Sequence, residues 1–263
     1  AGNPAPRPVR RVTLGALAQA PPWDPATDAG PLGPGVDGLL QARFRSKLAA
    51  ELGRDSARPA EDFGGVMELV AALHARDAAS DSAFAASRRV LRSLFPDWPP
   101  LNPPGTVGLL HWFGVLFARP FPAFSAKLNA WVTCLAAQWL MGRCTLEDVP
   151  AEDAPRLAAG DGRAQVVKVT RCRYLEEAGC ASVCVHTCMR PTQAFFMEDM
   201  GVPVAVVPDY ETLECAFKFG VPPAPEDEAA ARAVACFAGC PHAARAGAGV
   251  GAAEGAAGGG GGG

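Results

Sequence analysis

The segment AQVVKVTRCRYLEEAGCASVCVHTCM, residues 164–189, decides the fold class, because its hydrophobic period changes part-way along. Its first part, Ala164–Tyr174, alternates in the manner of a β-strand. Gly179 then interrupts the chain, and Ala181–Met200 has helical spacing, with a stop or kink expected at Pro191. The segment therefore predicts a strand followed by a cysteine-bearing helix.

Two further runs of β-type residues follow this helix. They are Pro203–Val207 and Leu213–Phe219, and the turn residues Pro208 and Asp209 stand between them. Strands joined by so short a turn favour an antiparallel sheet. We expect an α+β fold, in which a helical N-terminal half packs with a small antiparallel sheet and a cysteine-bearing helix of the C-terminal half.

The first half of the chain has the periodicity of several helices. Val36–Leu52 and Glu61–Arg76 place apolar residues three and four apart, and a third helix is expected over residues 81–95. After a proline-rich loop, Thr106–Phe117 and Ala123–Met141 are strongly apolar and predict two more helices.

Composition divides the chain into two units and two arms. The Pro- and acid-rich residues 148–162 mark a boundary between a helical unit, 35–147, and a cysteine-rich module, 163–242. Residues 1–34 are rich in Pro, Ala and Gly without hydrophobic periodicity, and residues 243–263 are almost entirely Ala and Gly, so we expect both to be disordered. The first arm is also Arg-rich and acid-poor, which is equally typical of a transit-peptide remnant.

Charge and hydropathy exclude some function classes. The net charge is −3 and the basic residues are scattered, so a nucleic-acid partner is not expected. No apolar stretch reaches the roughly 18–20 residues that a transmembrane helix needs. The aromatic residues of the two apolar helices suit a water–lipid boundary as well as a core, so peripheral contact with a plastid membrane is a second expectation.

The cysteines have an informative spacing. Of nine in the chain, Cys180, Cys184 and Cys188 lie four residues apart, which on a helix places their thiols on one face. Cys236 and Cys240 repeat this step before a proline, an ending also found in bacterial ferredoxins. The pattern favours a metal site.

The cysteine pattern is open to more than one interpretation. Thiolates are soft ligands for iron, iron–sulfur clusters or zinc. Disulfides are disfavoured by a reducing compartment and by the geometry of helical neighbours. A single buried cysteine, such as Cys134, is more simply a small hydrophobe. His186 and His111 are either imidazole ligands or ordinary hydrogen-bonded residues.

The motif RCRYLEEAGCASVCVHTCMRPTQAFFMEDMGVPV (residues 171–204) resembles the signature of the plant β-carotene isomerases of strigolactone biosynthesis, the Dwarf twenty-seven type. CAFKFGVPPAPEDE (215–228), KLNAWVTCLAAQWLMGRC (127–144) and residues 236–241 resemble the same family. The resemblance implies a chloroplast enzyme, soluble or membrane-peripheral, that contains iron (non-haem or in an iron–sulfur cluster) and isomerises all-trans-β-carotene to its 9-cis form. The cysteines that match the family, and that are therefore the expected metal ligands, are Cys144, Cys172, Cys180, Cys184, Cys188, Cys215, Cys236 and Cys240.

A mechanism follows as a hypothesis from this resemblance. One-electron exchange with iron would lower the order of a polyene double bond, and the protein would supply orientation and a dry pocket. The apolar helices are expected to wall a tunnel for the carotenoid, with Trp112, Phe113, Trp131 and Trp139 as substrate contacts. Two alternatives are a non-catalytic plastid iron–sulfur protein for electron transfer and a scaffold held by zinc.

Overall fold

Three helices form the N-terminal layer. The computed structural model describes residues 21–24, 28–75 and 80–234. The helices are α1 (Pro34–Leu52), α2 (Phe63–Ala75) and α3 (Ser80–Ser93), and each begins within two residues of its expected start. Gly53 ends α1 because it adopts a left-handed conformation, φ 71°, from which its N–H reaches the carbonyl of Ala49. Phe44 and Leu48 of α1 are buried, and α1, α2 and α3 all contact one another.

The two apolar helices are confirmed, with an interruption in each. The first consists of α4 (Gly108–Phe113), which continues as a π-helical turn, Gly114–Ala118. The second is divided at Ala137 into α5 (Pro122–Ala136) and α6 (Gln138–Met141). Within the described ranges, no helix combines the length and the apolar character needed to cross a membrane.

A four-stranded antiparallel sheet lies in the second half. Its strands are β1 (Cys144–Glu147), β2 (Val166–Val169), β3 (Val204–Pro208) and β4 (Cys215–Phe219), in the order β1-β2-β4-β3. Val169 is paired with Cys144 on one side and with Cys215 on the other. The expected α+β class is confirmed. The sequence pattern does not predict β1, which precedes the composition boundary at residues 148–162 while pairing with a strand beyond it.

The strand expected over Ala164–Tyr174 is too long. It ends at Val169, because Cys172 caps a short helix, α7 (Arg173–Ala178), that takes up the last residues of the alternating run. A local alternation of side chains does not reveal that one of them is bound to the backbone three residues ahead.

A long irregular helix follows, and we call residues 181–199 the cysteine helix. It consists of α8 (Ala181–Val183), a π turn (Cys184–Met189), α9 (Arg190–Ala194) and a second π turn (Phe195–Asp199). The stop expected at Pro191 is wrong, because the helix continues through α9, whereas the kink expected there stays a prediction. Pro191 lies in the first turn of α9, directly after a π turn that already interrupts the regular hydrogen-bond ladder, so the ring displaces no α-helical bond there.

One core joins the two halves of the described chain. It extends from Phe44 in α1 through Met189 in the cysteine helix to Phe219 in β4. The last described helix, α10 (Pro225–Arg232), packs against α8. The two predicted arms lie mostly outside the described residues, as do Cys236 and Cys240.

Candidate functional site

Four thiols, three of them buried and that of Cys188 half-buried, come together between the sheet and the cysteine helix. Cys172 lies just after β2, and its sulfur accepts a hydrogen bond of 3.4 Å from the Leu175 N–H. Cys184 and Cys188 lie on the cysteine helix, and Cys215 begins β4. We call these four residues the thiol cluster, because the pKa values of Cys184, Cys188 and Cys215 are each raised in part by other sulfurs of the group.

The thiols of this cluster are protonated at neutral pH. Burial raises the pKa of Cys172 to about 11, and burial together with the neighbouring Cys172 raises that of Cys188 to about 12. Burial is also the main reason why the pKa values of Cys184 and Cys215 lie well above the usual range. A thiol must lose its proton to ligate a metal or to act as a nucleophile, so the cluster is unreactive without a compensating positive charge.

Two tyrosines complete the surroundings of the thiol cluster. Tyr174 and Tyr210 are the only tyrosines of the chain, and the pKa of each is raised by burial and by nearby cluster thiols. Tyr174 makes a 2.6 Å hydrogen bond to Thr187. The Tyr210 hydroxyl is buried next to Cys184 and has no ordinary oxygen or nitrogen partner in the described ranges. Sequence reasoning missed both residues, and their scarcity was the signal that could have indicated them.

Cys144 and Cys180, two of the expected metal ligands, do not belong to the thiol cluster. The Cys144 thiol lies 3.3 Å from the Cys134 thiol, and strand β2 separates it from Cys215. Cys134 therefore does more than fill space, since it forms a dithiol pair. Burial and the contact with Cys134 raise the pKa of Cys144 far above its ordinary value. Cys180 is half-buried at the start of α8 and lies near Cys184.

The described residues do not fit a bound metal ion. Among residues 21–24, 28–75 and 80–234, no three His, Cys, Asp or Glu side chains are grouped closely enough to hold one. The cluster thiols are near enough to influence one another electrostatically, but they are not arranged as a ligand set. The expected ligands Cys236 and Cys240 lie outside the described residues.

The two candidate histidines, His186 and His111, contact hydrogen-bonding and aromatic side chains of the protein. His186 is fully buried, and its Nδ1 lies 3.2 Å from the Ser182 hydroxyl and 2.9 Å from the Ser182 carbonyl oxygen. The same hydroxyl lies 3.0 Å from Nε2 of His74 in α2. These contacts join α2 to the cysteine helix. His111 packs edge-on against Trp112, with ring centres 5.4 Å apart.

The four aromatic residues expected to contact substrate have different surroundings. Trp139 is buried in the core against Phe44, with ring centres 5.8 Å apart. Phe113 and Trp112 are half-buried, and the indole nitrogen of Trp112 is buried without a hydrogen-bond partner among the residues described. Trp131 is largely exposed on α5. Their contact with a substrate stays a prediction.

A shallow groove of about 250 Å³ lies beside the sheet. Its lining includes the charged residues Lys168, Lys218, Asp209 and Glu214. Ligand pockets usually exceed about 300 Å³ and are mainly apolar. This groove therefore does not suit a long hydrocarbon.

Comparison with known proteins finds a family that part of the second half resembles. Residues 139–228 match the family described as Beta-carotene isomerase D27-like, C-terminal. We call these residues the D27-like domain, after this similarity. The match agrees with the resemblance found in the sequence, and the D27-like domain contains the sheet, the cysteine helix, both tyrosines and the whole thiol cluster.

Two curated relatives carry the same description. The chain is 32% identical to Beta-carotene isomerase D27, chloroplastic, of Arabidopsis thaliana over 127 residues, 48% of this chain and 45% of that protein. It is also 32% identical over 99 residues, 37% of this chain and 36% of the relative, to the protein of the same name from Medicago truncatula. The chain thus spans less than half the length of these relatives. Their names agree with the chloroplast location expected from the sequence. No solved structure matches the chain.

The D27-like domain begins after most of the aromatic segment. Helices α4 and α5, with Trp112, Phe113 and Trp131, precede residue 139, whereas Trp139 is the first residue of the domain. The Cys134–Cys144 pair joins the two parts, since Cys134 belongs to α5 and Cys144 begins β1.

Proposed function

We propose that the protein is a chloroplast carotenoid isomerase, and that it converts all-trans-β-carotene to the 9-cis isomer. The observation that carries the proposal is the D27-like domain at residues 139–228 with a buried thiol cluster inside it. Two relatives named β-carotene isomerase support the same reaction class. Isomerisation changes no atom count, so no acid–base pair or leaving-group site is required of the chain.

The protein's own residues have two tasks in such a reaction. They must hold a long apolar molecule in one orientation, and they must keep water from the bond that rotates. The aromatic residues of α4 and α5 offer apolar contact surface, and α5 packs against the sheet of the D27-like domain. The thiol cluster and the two tyrosines provide a buried, polarisable and uncharged wall.

Iron is a separate part of the proposal. Several thiols in one region are soft donors suited to iron or to an iron–sulfur cluster. Against this, the described residues contain no group of three ligands, so we derive no reaction step through a metal. Metal analysis of protein purified without oxygen therefore decides this part independently of activity.

The main experiment is incubation of the full chain with all-trans-β-carotene in detergent, followed by chromatographic separation of isomers. The expected result is a growing 9-cis peak that a blank without protein does not show. An isomer profile equal to the blank would overturn the proposal. A reversible redox spectrum without isomer change would instead identify an electron-transfer protein, and zinc without activity would identify a scaffold.

A pair of cysteine variants tests the role of the thiol cluster. Cys184→Ser is expected to lose activity, and any bound iron with it, because Cys184 lies within the cluster. Cys134→Ser is the control, since the sulfur of Cys134 lies against Cys144, outside the cluster. Circular dichroism must show that both variants are folded. Equal behaviour of the two variants would show that the cluster is not the site.

A further inference from the structure

An exposed aromatic surface surrounds the turn between the two apolar helices. Leu116 and Phe117 end the first, Phe121 and Phe124 begin the second, and Trp131 and Val132 continue the surface along α5. All six are exposed, Phe121 to 58% and Trp131 to 54%. We call these residues the aromatic ridge. Large apolar side chains exposed together mark an interaction surface rather than ordinary surface composition.

The aromatic ridge is held rigidly by the helices beneath it. The rings of Phe113 and Phe117 are stacked with centres 5.6 Å apart, and Phe117 contacts Phe124 at 6.4 Å. The Phe121 N–H donates to the Phe117 carbonyl at 2.8 Å, which closes the turn. The opposite face of α5 is anchored in the core by buried Ser125, Ala126, Asn129 and Ala130. The exposed side chains are therefore presented on a fixed support and need no ordering when they bind.

The charge of this region differs from that of the rest of the chain. Between Asp97 and Glu147 there is no acidic residue, whereas Arg119, Lys127 and Arg143 are basic, although the whole chain carries a net charge of −3. Arg119 lies in the turn itself and is exposed, and within the described residues it has no carboxylate partner. Lys127 is paired with Asp161 at 2.9 Å. The aromatic ridge, with the Arg119 guanidinium at its centre, is complementary to a surface that has anionic groups on the outside and an apolar layer beneath them.

This charge pattern selects the occupant of the ridge. A second copy of the chain would bring the same cationic turn against itself, which is unfavourable without anions between the copies. An anionic lipid bilayer offers phosphate or sulfonate groups to Arg119 and hydrocarbon to the phenylalanines. Trp and Phe at the boundary of headgroups and acyl chains are in the environment they favour.

We propose that the aromatic ridge docks the protein on an anionic bilayer, with Phe117, Phe121 and Phe124 entering the acyl boundary and Arg119 bound to lipid headgroups. The inference rests on the proposed function in one respect, because a carotenoid is stored in lipid and must leave it to reach the D27-like domain. The ridge lies on the two apolar helices that join this domain, so docking would place the transfer route at the membrane surface.

Sedimentation of the full chain with vesicles tests the docking. One set of vesicles contains phosphatidylcholine alone and the other contains phosphatidylcholine with phosphatidylglycerol. We expect stronger binding to the second set. Serine at both Phe121 and Phe124 should weaken binding by about tenfold for each side chain removed from the acyl boundary. The control is Leu39→Ser, since Leu39 is 69% exposed on α1, away from the ridge, and its replacement should leave binding unchanged.

Arg119→Glu provides a second variant that leaves the aromatic residues in place. It should weaken binding to the phosphatidylglycerol vesicles and have little effect on those of phosphatidylcholine alone. Failure of the wild-type chain to sediment, or equal binding by wild type and the double variant, would overturn the docking. Self-association through the ridge without vesicle binding would overturn it as well.

The isomerase assay in detergent separates this proposal from the one on which it rests. Activity in detergent without vesicle binding would remove the docking and leave the isomerase. The opposite result is vesicle binding by the wild type, loss of that binding in the double variant, and no isomerase activity of the wild type in detergent. This result would support the docking and overturn the isomerase proposal.

Discussion

The same chemical change at the two tyrosines is expected to have opposite effects on stability. Replacing tyrosine with phenylalanine removes one hydroxyl and keeps the ring. At Tyr174 that hydroxyl makes a 2.6 Å hydrogen bond to Thr187. At Tyr210 it is buried without an oxygen or nitrogen partner among the described residues, and the nearby Cys184 thiol is only a weak one.

The magnitudes follow from these surroundings. A hydrogen bond of ordinary strength contributes about 1 kcal/mol, so Tyr174→Phe should lower the free energy of unfolding by about that amount. A buried hydroxyl without a partner costs roughly 1–3 kcal/mol, so Tyr210→Phe should raise the free energy of unfolding by about 1 kcal/mol. For a chain of this size, each change corresponds to a shift of roughly 2–4 °C in melting temperature.

Urea denaturation followed by circular dichroism measures both variants against the wild type. The expected result is two midpoints displaced to opposite sides of the wild-type value with an unchanged slope. Loss of stability in both variants would refute the reasoning, because it would show that the Tyr210 hydroxyl is satisfied in the folded protein. We also expect Tyr210→Phe to lose isomerase activity while it gains stability, since a costly buried group is retained mainly where function uses it.

Three further outcomes test other parts of the structure. Limited oxidation with glutathione disulfide, which takes two electrons and two protons from a dithiol, is expected to join Cys134 to Cys144 first, because their sulfurs are 3.3 Å apart. Peptide mass spectrometry would reveal this crosslink. A crosslink that forms earlier between other cysteines would contradict the prediction. Burial lowers the pKa of His186, so below about pH 6.5 the unfolded chain binds more protons than the folded one, and the free energy of unfolding should fall as the pH drops through that value. His186→Asn should flatten this part of a plot of unfolding free energy against pH. An unchanged plot would show that His186 is not the group responsible. Gln165→Ala should cost about 3 kcal/mol or more in urea denaturation, because the side chain makes three buried hydrogen bonds to the backbone; a loss below about 1 kcal/mol would mean that those groups find other partners.

The helices of the first half were predictable because their signals are local. Val36–Leu52 and Glu61–Arg76 carry apolar residues three and four positions apart, and Gly53 provides a stop after the first of them. The four residues of β1 could not be found in this way. A strand so short shows little alternation, and it is stabilised by contacts distant in sequence, namely its pairing with β2 and its packing against α5.

The thiol cluster was predictable only in part. Four-residue spacing placed Cys184 and Cys188 in one region of the cysteine helix. The approach of Cys172 and Cys215 depends on strand order and register, which no local pattern contains. Similarity to a family assigned Cys144 to the same set as these residues, yet the structure pairs it with Cys134, ten positions earlier.

The π turns explain why regular helical spacing was an imperfect guide to the site. Each π turn inserts one residue into the α-helical repeat, so the side chains that follow are rotated relative to those before. In the cysteine helix one such turn, Cys184–Met189, spans both cluster cysteines, and both of them lie near Tyr174 and Tyr210. Another, Gly114–Ala118, leads directly into the aromatic ridge. Helical irregularity of this kind is uncommon and often occurs at functional sites, which agrees with the roles proposed for the thiol cluster and for the aromatic ridge.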